Sequence, residues 1–133
     1  MSEVEPVLLR FRDVDSFGHV YHAEYLTLLD ELRARWFRTE LGLADPTQYV
    51  VARVEIDYVS SLVLDDVSAG ADITLERIGN TSLTLQETVR AADGRDVARC
   101  RTVVVLRDAG TGSSRPLTEA ERAAAEALVA GGS

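Results

Sequence analysis

The residues best suited to chemistry are concentrated between Asp13 and Tyr25, in the run DVDSFGHVYHAEY. This run holds two closely spaced carboxylates and both histidines of the chain. It leads into the only long helical pattern before the C-terminal region, so its polar groups lie beside a helix N-terminus. A helix N-terminus carries unpaired N–H groups and a partial positive charge, which stabilise a developing oxyanion. A carboxylate held just before such an end can act on an electrophile bound there, which favours acyl transfer or hydrolysis.

The helix that must position this run is predicted from Ala23 to about Leu41. Gly42 is placed to end it, because glycine readily adopts the left-handed conformation of a helix C-terminus. On the polar face, Glu31 and Arg35 are spaced as an i,i+4 ion pair. Apolar residues recur at spacings of four, three and four and form one stripe. The stripe consists of Tyr25, Leu29, Leu32 and Trp36.

Strand-like alternation is found once before this helix and four times after it. Turn signals at Gly79-Asn80 and Asp93-Gly94 separate three of the later strands. Thr118 and Glu121 then form a capping box that opens a short Ala-rich helix, which is predicted to fray at Gly131-Gly132. The predicted strands are Val7–Arg12, Tyr49–Tyr58, Val67–Ile78, Ser82–Ala92 and Val97–Arg107. In the second strand, one face is predicted to carry Val50, Ala52, Val54 and Ile56.

This order of elements indicates an α+β fold with an antiparallel sheet. A helix of ~20 residues is ~30 Å long, close to the length of a ten-residue strand at ~3.3 Å per residue. One helix can therefore lie along the concave face of a single curled five-stranded sheet. The chain shows no internal repeat, and residues 1–133 are predicted to form a single domain.

Composition restricts the function. The net charge is −8, and all 14 basic residues are arginine, so an acidic surface argues against nucleic acid as a partner. No apolar stretch approaches the ~20 residues that span a bilayer, and the first six residues lack the basic start of a secretory signal. The single cysteine excludes an intramolecular disulfide and fits a reducing compartment. We therefore expect a cytoplasmic protein without a membrane partner.

The run from Asp13 to Tyr25 resembles the D-x-D-x-x-G-x-V-Y-H-x-x-Y signature of the 4-hydroxybenzoyl-CoA thioesterase family. The resemblance continues at Val54–Tyr58, which is similar to the family's second strand, and at Ile78–Leu83, which is similar to its third hairpin. It covers roughly residues 7 to 107. It implies the hotdog fold, in which a curled antiparallel five-stranded sheet wraps one long central helix, here followed by a short C-terminal helix.

The resemblance also implies roles for residues of the signature. Asp15 would be the catalytic carboxylate, acting as nucleophile or as general base toward water. The backbone N–H of His22 would bind the thioester carbonyl, and the His22 side chain would line or orient the site. Gly18 would allow a tight turn between them.

Substrate contacts are expected from Gly18, Tyr21 and Tyr25, and from Arg77 near the third hairpin. Tyr25 is expected to be a core residue that touches the acyl chain. Two stretches depart from the family pattern. The basic cluster that often meets the CoA phosphates is reduced to Arg77. Ser60 to Asp66 replaces a turn in which Pro followed by Gly-Asp is common. We expect structural differences at both places.

The implied reaction is hydrolysis of a thioester, carried by CoA or by an acyl carrier protein, to a free acid and a thiol. No cofactor is expected, because the CoA thioester is the substrate. The family's active site lies at a dimer interface, so we expect a homodimer at minimum and favour a homotetramer. The alternative is a non-catalytic hotdog module that binds acyl-CoA.

The same residues also have structural interpretations. Asp15 could simply cap a surface turn, since Asp is common in turns, and Asp13 is expected to make structural hydrogen bonds. Asp15, His19 and His22 could in principle form a facial metal triad, but nothing in a loop-to-helix turn makes the three converge, so we predict no metal site. His19 is expected at the surface. Cys100 is expected to be a buried strand residue and not a nucleophile.

Overall fold

The computed structural model describes residues 2–3 and 5–130 and has the predicted α+β architecture. Its strands are β1 (Ser2–Glu3), β2 (Val7–Leu8), β3 (Tyr49–Tyr58), β4 (Ser68–Ile78), β5 (Ser82–Ala91) and β6 (Asp96–Leu106). The helices are α1 (Glu24–Trp36), which continues into a π-helical segment at Phe37–Leu41, and α2 (Glu119–Ala130). Short 3₁₀ turns occur at Phe11–Asp13, Pro46–Gln48 and Leu64–Asp66.

The sheet is antiparallel throughout and has the order β1-β4-β5-β6-β3. The short strand β2 also pairs with β4, so β1 and β2 share one position at that edge. Five strand positions result, and the sheet curls around α1. The predicted hotdog fold is thus confirmed. Strand β3 forms the opposite edge.

The predicted apolar stripe of α1 is buried against the sheet. Leu29 and Leu32 are fully buried, and Trp36 is 1% exposed. The helical run ends as predicted, because Gly42 takes the left-handed conformation at φ 68°. The predicted ion pair of Glu31 with Arg35 is wrong: the Arg35 guanidinium donates instead to the backbone carbonyls of residues 5 and 6.

The first strand is shorter than predicted, because only Val7–Leu8 of the predicted Val7–Arg12 pairs with β4. The next backbone N–H, that of Leu9, bonds to the carbonyl of Val67 outside the strand. The Asp13 carboxylate then accepts the Arg10 N–H at 2.8 Å and folds the chain into a 3₁₀ turn. A local carboxylate–backbone bond therefore replaces the strand pairing.

A β-bulge changes the face on which the residues of β3 lie. Val51 pairs with Val104 and Arg53 pairs with Val103, so Ala52 is the extra residue. The prediction that Val50, Ala52, Val54 and Ile56 share one face is wrong for its first two members. Paired residues point to the same side of a sheet, and Val104 is buried. Val51 and Val54 therefore face α1, while Val50 faces outward.

The remaining turn and cap predictions are confirmed. Gly79 N–H bonds to the Ser82 carbonyl at 2.8 Å in the β4–β5 hairpin, and Gly94 takes φ 90° between β5 and β6. At α2, the Thr118 hydroxyl accepts the Glu121 N–H, and the Glu121 carboxylate accepts the Thr118 N–H. The predicted fraying at Gly131-Gly132 lies outside the described residues.

A buried ion pair joins α1 to the centre of the sheet. Arg33 is 2% exposed and donates to both carboxylate oxygens of Glu87, which is 1% exposed, at 2.7 and 3.0 Å. The buried Thr102 hydroxyl on β6 donates to Glu87 at 2.7 Å and accepts from Arg33 at 3.3 Å. Arg33 also donates to Asp30 at the helix surface. Three elements are thus connected by one satisfied polar network.

We predict that Arg33→Met lowers the free energy of unfolding by about 3–5 kcal/mol, because it leaves the Glu87 carboxylate buried without its partner. The double variant Arg33→Met with Glu87→Leu should recover most of this loss, because an apolar pair leaves no uncompensated charge. Urea unfolding monitored by circular dichroism measures both. Arg38→Met, on the exposed side of the same helical run, is the matched control and should change stability by about 0.5 kcal/mol or less. Equal losses in the two single variants would contradict the prediction.

Candidate active site

The chain between Val14 and Val20 forms a small hairpin that carries the predicted catalytic carboxylate. Val14 and Val20 form an antiparallel bridge, and the Asp15 N–H donates to the His19 carbonyl at 2.8 Å. The Gly18 N–H donates back to the Asp15 carbonyl at 3.1 Å. Gly18 has φ 82°, which a residue with a side chain rarely adopts. The tight turn that the signature implies for Gly18 is therefore present.

The Asp15 carboxylate is held through one of its two oxygens. Oδ1 accepts the backbone N–H of Phe17 at 2.9 Å and that of His19 at 3.3 Å. No donor within residues 2–3 and 5–130 bonds to Oδ2. The carboxylate is half-buried and fixed in orientation, with one oxygen free to accept a proton or to attack an electrophile.

This hairpin is fastened to a neighbouring segment at Leu62 and Val63. The Val20 N–H donates to the Leu62 carbonyl at 2.7 Å, and His19 forms a bridge with Val63. The Leu62 N–H donates to the hydroxyl of Tyr25, which is 3% exposed. The hairpin therefore has a fixed position relative to the first turn of α1.

Asp13 makes the structural hydrogen bonds predicted for it. Its side chain is fully buried and accepts from both the backbone and the guanidinium of Arg10. Its backbone carbonyl accepts the Tyr21 N–H at 2.9 Å. Asp13 thus closes the base of the hairpin and leaves Asp15 at the surface.

The start of α1 presents free backbone donors. The Glu24 N–H bonds to the Tyr21 carbonyl, and the Tyr25 N–H bonds to the His22 carbonyl at 3.3 Å. The N–H groups of His22 and Ala23 have no acceptor in the part of the chain that the structure describes. These donors lie at the positive end of the helix, where a developing oxyanion would be stabilised.

Four aromatic rings lie at the helix start. The Tyr21 ring lies 4.5 Å from the His22 ring between centroids, and Tyr58 meets His22 and Tyr25 edge-on at 6.1 and 5.1 Å. Tyr21 and His22 are exposed, whereas Tyr25 belongs to the core. Tyr58 was not singled out from the sequence, because only the folded sheet brings the end of β3 to the helix start.

The segment that departs from the family pattern forms a 3₁₀ turn with a strained residue after it. The Asp66 carboxylate accepts the Val63 N–H at 2.9 Å and the Arg95 guanidinium at 3.1 Å. Val67 then has φ 70°, an unusual conformation for a β-branched residue. Hydrogen bonds from Val67 N–H to the Leu64 carbonyl and from Leu9 N–H to the Val67 carbonyl hold it there.

The space between α1 and β3 forms a groove. His22, Leu26 and Asp30 succeed one another every four residues on one side of the helix, over about 12 Å. Tyr58 reaches the His22 end of this row, where its hydroxyl bonds to the His22 carbonyl. The groove contains a cavity of about 170 Å³ lined by Leu26, Asp30, Arg33, Val51 and Val54.

Two further predicted residues lie away from this loop. Arg77 is exposed near the C-terminal end of β4. Val67 adjoins the N-terminal end of the same strand, so the two residues are about 30 Å apart along the extended chain. Within one chain Arg77 does not meet Asp15, and its role in substrate binding stays a prediction. Cys100 is 3% exposed, and burial raises the pKa of its thiol to about 12. It faces the core, as expected for a residue that is not a nucleophile.

Within the described ranges, no group of three or more His, Cys, Asp or Glu side chains is arranged to hold a metal ion. Asp15, His19 and His22 do not form such a group. No described helix is long and apolar enough to cross a membrane.

A curled sheet around one helix, with a carboxylate hairpin just before the helix start, defines the hotdog thioesterases as a class. The sequence model of the thioesterase-like superfamily matches residues 9–128. The chain belongs to this superfamily and is a thioester hydrolase. This membership confirms the resemblance predicted from the signature between Asp13 and Tyr25.

Individual relatives agree with this assignment. The chain is 28% identical over 131 residues to the acyl-CoA thioester hydrolase YbgC of Escherichia coli, covering 94% of this chain and 91% of that protein. It is 32% identical over 104 residues to the acyl-CoA thioesterase YbgC of Haemophilus influenzae, covering 65% and 76%. A thioesterase of Thermus thermophilus, crystallised with coenzyme A and Zn, superimposes with a TM-score of 0.83 at 32% identity, covering 95% and 93% of the two chains.

Proposed function

We propose that this chain hydrolyses acyl-CoA thioesters to a free acid and CoA, with Asp15 as the catalytic carboxylate and the His22 N–H as an oxyanion donor. The observation that carries this proposal is a fixed carboxylate on the hairpin just before α1, together with N–H groups at the helix start that have no acceptor among the described residues. The carboxylate is held by Phe17 and His19 through Oδ1, and Oδ2 accepts no hydrogen bond from the described residues. The names of the two YbgC relatives support the class of substrate.

In the general-base route, Asp15 Oδ2 takes a proton from water while the water oxygen bonds to the thioester carbonyl carbon. The carbonyl oxygen becomes an oxyanion and accepts the His22 N–H. The carbon–sulfur bond then breaks, and the CoA sulfur leaves with the proton that Asp15 had taken. The products are the acid and the thiol, and Asp15 returns to its charged form.

In the nucleophilic route, Asp15 Oδ2 itself bonds to the carbonyl carbon and expels the CoA thiolate. Water then attacks the resulting mixed anhydride and releases the acid and the Asp15 carboxylate, and the remaining water proton converts the CoA thiolate to the thiol. The His22 N–H stabilises the oxyanion in both steps. Both routes use the same carboxylate oxygen, Oδ2.

The groove between α1 and β3 is the site we assign to the acyl group. Its lining includes Leu26, four residues after His22, where the carbonyl must lie, together with Val51, Val54, Asp30 and Arg33. Burial of apolar acyl carbons against these side chains favours binding.

The edge strand β3 supports a homodimer as the working unit. An unpaired edge with apolar side chains is a template for pairing with another chain. Val50, Val51, Tyr58 and Val59, at or just beyond this edge, are 39–46% exposed. A second copy pairing there would cover them and close the groove. A homotetramer would need a further contact.

A non-catalytic module that binds acyl-CoA is the alternative. A pure binder has no need for a charged carboxylate beside a thioester, so the fixed Asp15 favours the enzyme. The two functions predict different results for the same carboxylate variant.

We expect wild-type protein to release free thiol from at least one member of an acyl-CoA panel, and Asp15→Asn to lose this activity by about 100-fold or more, as expected for removal of a general base. Asparagine keeps the shape and the Oδ1 acceptor and removes the charge. Initial rates of thiol release across the panel give the measurement.

Asp108→Asn is the matched control, because Asp108 Oδ1 also accepts two backbone N–H groups of an exposed turn, at 2.8 and 3.0 Å. It should leave the rate within about twofold of wild type, since surface substitutions usually have small effects. If wild-type protein bound acyl-CoA without hydrolysing it, the proposed hydrolysis would be rejected in favour of the non-catalytic binding module.

Val54→Phe should fill the groove and reduce kcat/KM for the longest acyl groups by about tenfold or more, while the shortest remain within about twofold, because added volume is not tolerated in a packed pocket. Val103→Phe is the matched control, because Val103 lies on the outward face of β6, where it pairs with Arg53 of β3. The measurement is the ratio of kcat/KM between variant and wild type for each acyl length. A uniform loss for all lengths in Val54→Phe would reject the groove as the acyl site.

Sedimentation equilibrium of the wild-type chain should give a mass of at least twice 14.5 kDa, because the apolar edge of β3 must be covered. Val59→Lys places a charge beside that edge and should weaken the association measurably. Arg107→Lys, which keeps its charge, serves as the comparison. A monomer that hydrolyses acyl-CoA at full rate would exclude the shared interface.

A further inference from the structure

Tyr58 connects the edge of the sheet to the first peptide of the helix start. Its hydroxyl donates to the His22 carbonyl at 2.9 Å, from the last residue of β3. The ring stands edge-on to both His22 and Tyr25, at interplanar angles of 87° and 85°. These two ring contacts fix the direction from which the hydroxyl approaches.

The peptide that receives this hydrogen bond also carries a free donor. The carbonyl of His22 and the N–H of Ala23 belong to one peptide group, which is planar and trans, so the two point in opposite directions. The only other donor to this carbonyl is the Tyr25 N–H at the longer distance of 3.3 Å, among bonds between described residues. The Ala23 N–H itself bonds to no described acceptor.

Holding the carbonyl therefore orients the N–H. A hydrogen bond to a peptide oxygen also draws electron density toward that oxygen and makes the N–H of the same group a stronger donor. The effect requires a protonated tyrosine. Partial burial raises the pKa of the Tyr58 hydroxyl above its usual value, so it remains a donor at neutral pH.

We propose that Tyr58 is a positioning residue that acts through the His22–Ala23 peptide, turning and polarising the Ala23 N–H as a second oxyanion donor beside that of His22. This inference rests on the proposed thioester hydrolysis. When the nucleophile bonds to the carbonyl carbon, the displaced electron pair moves to the carbonyl oxygen, which accepts both N–H groups. The Tyr58 proton stays on Tyr58 throughout, and its hydrogen bond strengthens as the peptide polarises.

The test compares two tyrosine hydroxyls on one strand. Tyr58→Phe keeps the ring contacts and removes only the donor. Tyr49→Phe is the matched control: Tyr49 begins β3, packs on Phe37 at 4.5 Å between centroids, and its hydroxyl bonds to no described group. Both variants are assayed with the best thioester of the panel, with kcat and KM determined separately.

We expect Tyr58→Phe to lower kcat by about tenfold with KM within about twofold, because the polarised N–H matters chiefly in the transition state. The loss should be smaller than the ~10²–10³ seen when an oxyanion donor is itself removed. Tyr49→Phe should leave both constants unchanged. A rise in KM alone, or equal effects in the two variants, would show that Tyr58 serves only packing or binding and would overturn the proposal.

The Ala23 amide gives a readout that does not need turnover. In a ¹⁵N-labelled sample, loss of the hydrogen bond to the His22 carbonyl should shift the Ala23 nitrogen resonance in Tyr58→Phe and leave it in place in Tyr49→Phe. An unmoved resonance would overturn the proposal even where kcat falls, since the loss would then have another origin. Unchanged dispersion elsewhere in the spectrum establishes that the variant is folded.

The outcomes separate this inference from the proposed function. If wild type is active and Asp15→Asn is inactive while Tyr58→Phe matches wild type, hydrolysis at Asp15 stands and the role of Tyr58 is wrong. If wild type hydrolyses no thioester, the proposed function fails and the role of Tyr58 fails with it.

Discussion

The bidentate contact of Arg33 with Glu87 is the interaction on which the arrangement of helix and sheet depends. An apolar stripe alone lets a helix slide or rotate over a sheet, since burial of apolar area is not directional. A buried guanidinium must instead meet its carboxylate at a particular place, because an unpaired charge there is strongly unfavourable. This fixes α1 in register with β5, and Thr102 extends the constraint to β6. The N-terminal end of α1, where the reactive groups lie, inherits that register.

The same logic of fixed hydrogen bonds continues outward to the surface. The Leu62 carbonyl accepts the Val20 N–H of the hairpin, and the Leu62 N–H donates to the Tyr25 hydroxyl of the helix. The backbone of one residue therefore holds the two halves of the site together. Asp13 closes the hairpin from inside the protein, and Asp15 is left with one oxygen engaged by the turn. A carboxylate so constrained loses little conformational freedom when it acts, which is how a site on a loop can be preorganised.

Residues that act locally were predictable from the sequence. The signature from Asp13 to Tyr25, the stripe of α1, the cap at Gly42 and the capping box at Thr118 all depend on neighbours within a few positions. Most features that were missed arise from contacts distant in sequence; the exception is the short first strand, which ends at the local bond between Asp13 and Arg10. The bulge at Ala52 changes which side chains at the start of β3 face α1, but the apolar–polar alternation of the sequence does not show it. From the sequence, Arg33 is an ordinary polar helix residue, and its partner Glu87 lies 54 residues away along the chain. Tyr58 likewise acquires its partner only when the sheet closes around the helix.

In the folded chain, Cys100 does not react readily with the reagents that detect thiols. Aromatic disulfides react with thiolate, and the only sulfhydryl of this protein is shielded by the sheet and holds its proton, since burial raises its pKa to about 12. Any prompt colour in a coupled assay therefore comes from CoA and not from the enzyme. Slow labelling of the protein, in turn, requires the strands around Cys100 to separate. The same reagent thus records catalysis on one timescale and the spontaneous opening of the core on another.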